Sequence, residues 1–408
     1  MKSQLKIMIR PQIIFFFSLL LLSCHSTTDT TSSQTKLKLE LMDSPADSTS
    51  AEPYLSTDKN GTVYLSWIEM KPGNNILWYS TFENEKWREP KIIASGADWF
   101  VNWADYPQIA SDGENNLISH FLEKSDKGTY TYDIRYSISS DDGLTWTDPV
   151  ILHDDGKKAE HGFVSMIPYE GNYFISWLDG RNAMTEESHV HGSHHGSMTL
   201  RGAIVDKAGK KLKEWELDDR VCDCCQTSAA ITLSGPVVVY RDRSENEIRD
   251  MSIVRFVNGQ WTRPKSISAD NWKINGCPVN GPRIVAEGNT VAVVWFSSPE
   301  KEPQVKIAFS ENGGETFSDP VRVDEGRSIG RVDLELMNEE TAMVSWMEGS
   351  EIRCRKVHRT GDRDSSIIIS QSSDQRSSGF PQMTRSGDQV IFAWTDDKEK
   401  RVKTARLF

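Results

Sequence analysis

The chain lacks the marks of several large classes of protein. Its 47 Lys and Arg face 59 Asp and Glu, a net charge of −12, and no long basic run offers a stripe for phosphates. Both features argue against a nucleic-acid partner. No apolar run follows Leu22, so the later chain holds nothing long enough to cross a bilayer as a helix. Nor does any stretch of useful length repeat its apolar residues at helical spacing; they alternate with polar ones, which is the pattern of strands. Cysteine is scarce, six in 408 residues. Tryptophan is abundant for so polar a chain, with 13 copies, as many small sheets would require if each needs a large anchor. The length allows more than one domain, but closed all-β folds often exceed 200 residues as a single unit.

The first residues read as a targeting segment. Lys2, Lys6 and Arg10 precede an apolar run, Ile13 to Leu22, that is too short to span a membrane. It ends in Leu21-Leu22-Ser23-Cys24, which resembles the lipobox of bacterial lipoproteins. That resemblance implies a signal peptide over residues 1–23 and a mature chain acylated at Cys24. Residues 24–35, rich in Ser and Thr, would be a flexible tether. The expected location is the bacterial cell envelope, with the lipid anchor as the only membrane contact and residues 36–408 soluble outside the cytoplasm.

Within residues 36–408 one phrase recurs, an apolar strand that ends in an aromatic. It ends at Trp67, Phe121, Trp177, Tyr240, Trp295, Trp346 and Trp394, roughly fifty residues apart, the period of a four-stranded propeller blade. A shorter strand and a Gly/Asn/Asp turn precede each marker. Seven markers predict an all-β fold with seven blades, against six as the alternative. The seventh unit supplies only three strands before Phe408, and the alternating segment Lys36 to Met42 is the candidate fourth. Joining both chain ends in one blade would close the ring and remove two open sheet edges.

Two further stretches carry a finer signal. Ser139-Ser140-Asp141-Asp142-Gly143-Leu144-Thr145-Trp146 and Ser310-Glu311-Asn312-Gly313-Gly314-Glu315-Thr316-Phe317 both read S-x-[DN]-x-G-x-T-[WF], and each is followed by Asp-Pro-Val. An Asp or Asn that folds onto the backbone, followed by a Gly at positive φ, makes a hairpin turn. With their matched flanks the two stretches resemble the Asp-box repeat of the sialidase-like β-propellers. The resemblance implies an architecture, because the box itself is structural.

Propeller topology sorts the loops. The loops from strand 2 to strand 3, and the links from one blade to the next, share one rim; the Asp-box-like turns lie on the other. The unusual residues gather on the first rim. Its links carry Trp99, Phe100, Trp103 and Asp105, then His161, Arg220 and Gln226, then Asn280, Arg331 and Asp333. Its loops carry Asp179, Arg181, Arg241 and Arg243, and a histidine insert of His189, His191, His194 and His195. So many Arg, Asp and Trp together suit a binding or catalytic face. Arg181, the Arg241/Arg243 pair and Arg331 come from separate blades, and guanidinium forks suit carboxylate or sulfate. Sialidase-like enzymes hold a sugar carboxylate with an arginine trio, so the set is similar in kind. It departs in having no Phe/Tyr-Arg-Ile-Pro motif and no tyrosine after Tyr240, leaving no counterpart to the late tyrosine nucleophile.

The cysteines divide by position. Cys222, Cys224 and Cys225 flank the link into blade four and Cys277 the link into blade five, so two disulfides clamping these blades are expected, with Cys224–Cys225 one candidate pairing and Cys277 within reach of one upstream cysteine. Their alternative is a soft-metal site. Cys354 alternates within a strand and reads as a buried free thiol. The histidine insert is the candidate site for a divalent metal, its alternative being a polar loop.

The expected activity is that of a monomeric, sialidase-like hydrolase or lyase on an acidic oligosaccharide or glycoconjugate. Asp105 would donate the proton, His161 would be a base or second donor, and the arginines would hold the carboxylate. The alternatives are glycan binding without turnover, with Trp99, Phe100, Trp103 and Trp272 as stacking platforms, and metal handling by the His and Cys clusters.

Overall fold

The computed structural model describes Met8, residues 37–183 and residues 196–408. The chain divides into two units, Met1–Leu37 and Lys38–Phe408. The described residues of the second form seven antiparallel sheets, six built from consecutive strands and one from the first strand with the last three. This is a seven-bladed propeller of four-stranded blades; the six-bladed alternative is not what forms. The inner strands, one per blade, are Ser50–Thr57, Ile109–Ser111, His161–Tyr169, Ser228–Thr232, Arg283–Glu287, Ser328–Asn338 and Gln382–Ser386. Only two three-residue 3₁₀ turns interrupt the strands, Pro299–Lys301 and Arg376–Ser378. No helix among the described residues is long and apolar enough to cross a membrane.

The last blade draws on both ends of the unit. Leu39–Met42 pairs antiparallel with Arg401–Leu407, Leu39 opposite Leu407 and Met42 opposite Thr404. Lys38 N–H and Phe408 N–H each donate to the other residue's carbonyl, at 2.7 and 3.1 Å.

The seven marker aromatics are the anchors of the core. Trp67, Phe121, Trp177, Tyr240, Trp295, Trp346 and Trp394 are each at most 3% exposed, one per blade on the second strand. Three of the indoles also find carboxylate partners for their N–H: Trp177 on Asp179 at 2.8 Å, Trp295 on Asp270 at 2.8 Å and Trp346 on Glu348 at 2.7 Å. Burial of an aromatic with its polar handle satisfied is among the larger single contributions a small sheet can make.

The two S-x-[DN]-x-G-x-T turns are wired alike. Gly143 N–H donates to Ser139 Oγ at 2.8 Å and Thr145 N–H to Asp141 Oδ1 at 2.9 Å. Gly314 N–H donates to Ser310 Oγ and Thr316 N–H to Asn312 Oδ1, both at 2.9 Å. The spacing of the motif is therefore the spacing of one hydrogen-bonded turn.

The opposite rim is where inner strands begin, and there the ladder breaks. The register slips between Ala51 and Tyr54, between Gly162 and Ser165, and between Gly330 and Asp333. Inside the three slips Glu52, Phe163 and Arg331 each hold φ of 55°. Left-handed backbone at a non-glycine residue costs about 1–3 kcal/mol and gathers where a fold re-aims a side chain. Three such bulges on one rim mark it as the unusual face.

Candidate functional site

On this rim a hydrogen-bonded chain of acids crosses from the first blade-to-blade link to the third blade. The link turns tightly, with Asp105 N–H donating to Asn102 O at 3.1 Å and Ala104 N–H to Asn102 Oδ1 at 3.0 Å. That turn drives Asp105 inward until it is 3% exposed. Its Oδ1 accepts the Phe163 N–H at 2.8 Å, and its Oδ2 lies 3.5 Å from the Tyr132 hydroxyl. The same hydroxyl donates to Glu160 Oε1 at 2.9 Å. A phenol has one proton, so when it serves Glu160 the longer contact to Asp105 is satisfied only if that carboxyl carries a proton of its own. Burial raises the Asp105 pKa to about 7, against the pull of the Phe163 amide. Burial likewise raises Glu160, to about 8, and Glu52, which the nearby Asp105 charge pushes further. Asp105 is deep, Tyr132 is fully buried beneath Phe100 at 4.1 Å between ring centroids, and Glu160 is partly open. The chain thus runs from the deeply buried Asp105 to Glu160, a residue of intermediate exposure whose carboxyl is itself desolvated.

Beyond the same link lies a cationic aromatic face. Trp103 stacks on Phe380 at 5.5 Å, and the guanidiniums of Arg331 and Arg376 lie over its ring at 5.1 and 5.9 Å. Arg331 is buried, yet its bonds go to neutral oxygens: Ser378 Oγ at 2.6 Å, Asp374 O at 3.1 Å and Gln375 O at 3.0 Å. Burial without a contacting carboxylate lowers its pKa to about 10, only partly opposed by the Asp374 charge. A desolvated cation bonded only to neutral groups lacks a contacting counter-charge. Arg376 is exposed on the adjoining 3₁₀ turn.

Toward the axis, inner-strand residues from four blades meet. Arg283 donates to the Tyr106 hydroxyl and to Gln382 Oε1, and its Nε lies 3.5 Å from Asp333 Oδ1. Tyr54 stacks on Tyr106 at 6.1 Å. Asp333 takes the Met383 N–H on its other oxygen at 2.6 Å, so it also ties blade six to blade seven. Burial, then Asp333, raises Glu335 to about 8.

The remaining residues singled out from the sequence hold the rim together. Arg241, 1% exposed, gives every donor nitrogen to backbone carbonyls: Nε and Nη2 to Asn280 O, Nη2 also to Phe296 O, and Nη1 to Arg249 O. Trp272 packs on its guanidinium at 4.8 Å and is itself buried. Arg243 is paired with Asp223 and Glu247 at 3.0 and 2.8 Å. Gln226 spans two links, donating to Ala104 O at 2.6 Å and accepting Gly281 N–H at 2.9 Å, and Asn280 Oδ1 accepts Arg331 N–H at 2.7 Å. Trp99 is buried against Phe121 at 4.3 Å. Arg220 donates its backbone N–H to Asp218 at 3.1 Å.

His161 is also enclosed. Its Nδ1 faces Tyr132 O at 3.3 Å, its Nε2 lies 3.0 Å from Asp155 and 3.7 Å from Asp179, and its ring stacks on His153 at 3.5 Å. Two overlapping buried groups, Asp133/His153/His161 and Asp155/His161/Asp179, have ligand-type atoms within 4.8 Å of one another. Arg181 pairs with Asp179, Asp155 and Glu214, at 2.7, 3.2 and 3.2 Å, so these groups form an ion-pair network between blades two and three. Burial and the His153 charge lower the His161 pKa, against the carboxylates. His189, His191, His194, His195 and Cys24 lie outside the described residues.

Among the cysteines, Cys224 bonds to Cys277 with Cα atoms 5.9 Å apart, correcting the Cys224–Cys225 pairing. Two residues that follow each other can seldom meet the geometry of a bridge, whereas neighbouring links that converge on the axis can. Cys222, Cys225 and Cys354 are free and buried; the expectation of a single free thiol therefore undercounts by two. Burial raises the Cys354 pKa to about 12.

Solved chains resemble this one in part. No family model matches the chain, and no curated protein matches it, but 341 solved chains do. An ulvan lyase of a new polysaccharide lyase family is 11% identical, with 76% of this chain and 79% of that chain covered and a TM-score of 0.49. A Hadza microbial sialidase is 12% identical, with 74% and 66% covered and a TM-score of 0.40. An α-L-arabinanase of Penicillium chrysogenum is 10% identical, with 91% and 97% covered and a TM-score of 0.47. The chain thus spans just under two thirds of the sialidase.

Sequence reading missed Glu52, Tyr106, Tyr132, Glu160 and Arg283. Tyr132 passed as an ordinary alternating strand residue. Glu52, Arg283 and Glu335 did carry a signal: each is a charge inside an inner strand, at the layer nearest the axis, where a solvated charge has no place.

Proposed function

We propose that the protein acts on an anionic glycan at the bulged rim, as a hydrolase or lyase tethered to the bacterial cell envelope through Cys24. The observation that carries this reading is the Asp105–Tyr132–Glu160 chain, in which burial favours the protonated carboxyls near neutral pH. Glu160 is the least buried residue of the chain, so it is the proton donor to a leaving glycosidic oxygen, with Tyr132 and Asp105 holding its proton and orientation from behind. Protonated acids do not repel an anionic sugar. Arg331 and Arg376 supply the charge that attracts it, and Trp103 a ring on which a sugar face can stack.

Asp105, expected as the donor itself, acts here as a positioning residue. The lipobox resemblance supports the anchor, and the repeated turns support a rigid frame for the rim. The test is incubation of residues 36–408 with acidic oligosaccharides and detection of products. Wild-type protein should yield new reducing or unsaturated ends that Glu160→Gln does not. Product formation by both proteins would remove Glu160 from the chemistry.

A further inference from the structure

Four sulfurs are grouped on the rim, those of Cys222, Cys224 and Cys225 all within 4.8 Å of one another. Cys225 Sγ lies 2.9 Å from Cys222 Sγ, which lies 4.0 Å from Cys224 Sγ, which is bonded to Cys277. The sulfurs differ in their access to solvent. Cys222 and Cys225 are at most 1% exposed, Cys224 is half-buried and Cys277 is exposed. The inner pair is therefore shut off from solvent reagents, while the outer bridge is open to them.

The surroundings favour attack from Cys222. Arg249 Nη1 lies 3.3 Å from its sulfur. Burial pushes the Cys222 thiol up, but the Cys225 S–H and the charges of Arg249 and Arg241 outweigh it and bring the pKa down to about 7. Burial and the Cys222 charge raise Cys225 well above its ordinary range. One thiolate and one thiol, three residues apart and in contact, make an attacking and a resolving sulfur.

We propose that the four cysteines form a disulfide relay, in which the buried Cys222/Cys225 dithiol trades electrons with the solvent-side Cys224–Cys277 bridge, and the bridge with an external thiol or disulfide. The Cys222 thiolate attacks Cys224 Sγ. The Cys222–Cys224 bond forms, the Cys224–Cys277 bond breaks, and Cys277 leaves as a thiolate that takes a proton from water. Cys225 then attacks Cys222 Sγ, the Cys222–Cys225 bond forms, and Cys224 leaves with the proton that Cys225 gives up. Two electrons pass from the inner pair to the outer pair with no further oxidant. An external disulfide such as oxidised glutathione then restores the outer bridge by the same exchange, leaving both pairs oxidised. This activity is separate from the glycan reading and does not rest on it.

The test follows oxidation of the unreduced full chain in glutathione buffer, with alkylation and mass-spectrometric mapping at intervals. The relay predicts Cys222–Cys224 as an early species and Cys222–Cys225 as a late one. Cys224→Ser should slow Cys222–Cys225 formation by about tenfold or more, because the inner pair loses its route to solvent; Cys354→Ser should leave the rate unchanged. Where Cys224→Ser fails to fold, Cys277→Ser serves. Its first glutathione adduct should sit on Cys224, and a first adduct on Cys222 or Cys225 overturns the relay. An unchanged rate in Cys224→Ser also overturns it, as does a wild-type inner pair that stays reduced. So does recovery of all four cysteines as thiols protected by one zinc or copper ion, which would make the group a metal site.

Discussion

A methyl group on Gly162 would stand 2.1 Å from Asp105 Oδ2 and 3.0 Å from the Tyr132 ring. The backbone there must come this close for Phe163 N–H to reach Asp105, and only glycine leaves the room. Gly162→Ala should therefore lower stability by about 1–3 kcal/mol and cut turnover further, since the clash falls on the acid chain; melting and product assays on one preparation separate the two effects. The same chain sets a pH dependence. Asp105 and Glu160 titrate near 7 and 8 in the fold but near 4 in an unfolded chain. Between those values the native state holds protons that the unfolded state has lost, so stability falls as pH rises from about 4 and levels off once it passes 7 to 8. Turnover should fall as pH rises through 7 to 8 and the donor ionises. A melting temperature that is flat from pH 5 to 9 would contradict this, and Glu160→Gln should flatten part of the slope.

The arginines show why residue types alone could not assign the rim. Arg241 and Arg331 look alike in sequence, each beside a strand end. Arg241 commits all three nitrogens to carbonyls of blades four and five and packs on the buried Trp272, whereas Arg331 bonds through Nη1 and Nη2 and packs on the half-buried Trp103 beside the exposed Arg376. Arg241→Lys should chiefly lower the melting temperature. Arg331→Lys should chiefly weaken anion binding, because a lysine loses the planar fork. Equal binding by both variants and the parent would leave these residues structural. The contrast was illegible beforehand because it depends on which carbonyls from distant blades arrive at each guanidinium.

At the scale of the strand and the turn, much was legible. The seven aromatics, the alternation and the paired turn motifs are local, and each reports its own blade. The strand Leu39–Met42 makes four ladder pairs with Arg401–Leu407 and leaves Leu41 69% exposed, so it contributes backbone pairing more than burial. Deleting residues up to Met42 should cost about 2–4 kcal/mol at roughly 1 kcal/mol per bond, and it bares an edge that invites association. A truncated protein with the parent's melting temperature and no tendency to associate would contradict this. The bulges at Glu52, Phe163 and Arg331 were not legible. They arise where the inner strands meet the links of neighbouring blades, which is a tertiary event.

The whole molecule is acidic, with a net charge of −12, and it must draw an anion to one cationic spot. Binding should therefore weaken as salt rises, since charges at a partly open rim are screened over about 10 Å at 0.1 M. A salt-independent affinity would argue that stacking on Trp103 alone holds the sugar. The disulfide works at this scale too, joining the links into blades four and five across 53 residues. Removing it with Cys277→Ser should lower stability by about 2–4 kcal/mol.

The central claim is that a proton held at Glu160 cuts a bond in an anionic glycan. Its most direct test is turnover of acidic oligosaccharides by wild type and Glu160→Gln, side by side at neutral pH with product detection. The account predicts product from the wild type and at least a hundredfold less from the variant, the usual size of a general-acid contribution being about 10²–10⁴. Binding of the sugar by both with product from neither would contradict it, and would make the rim a recognition surface.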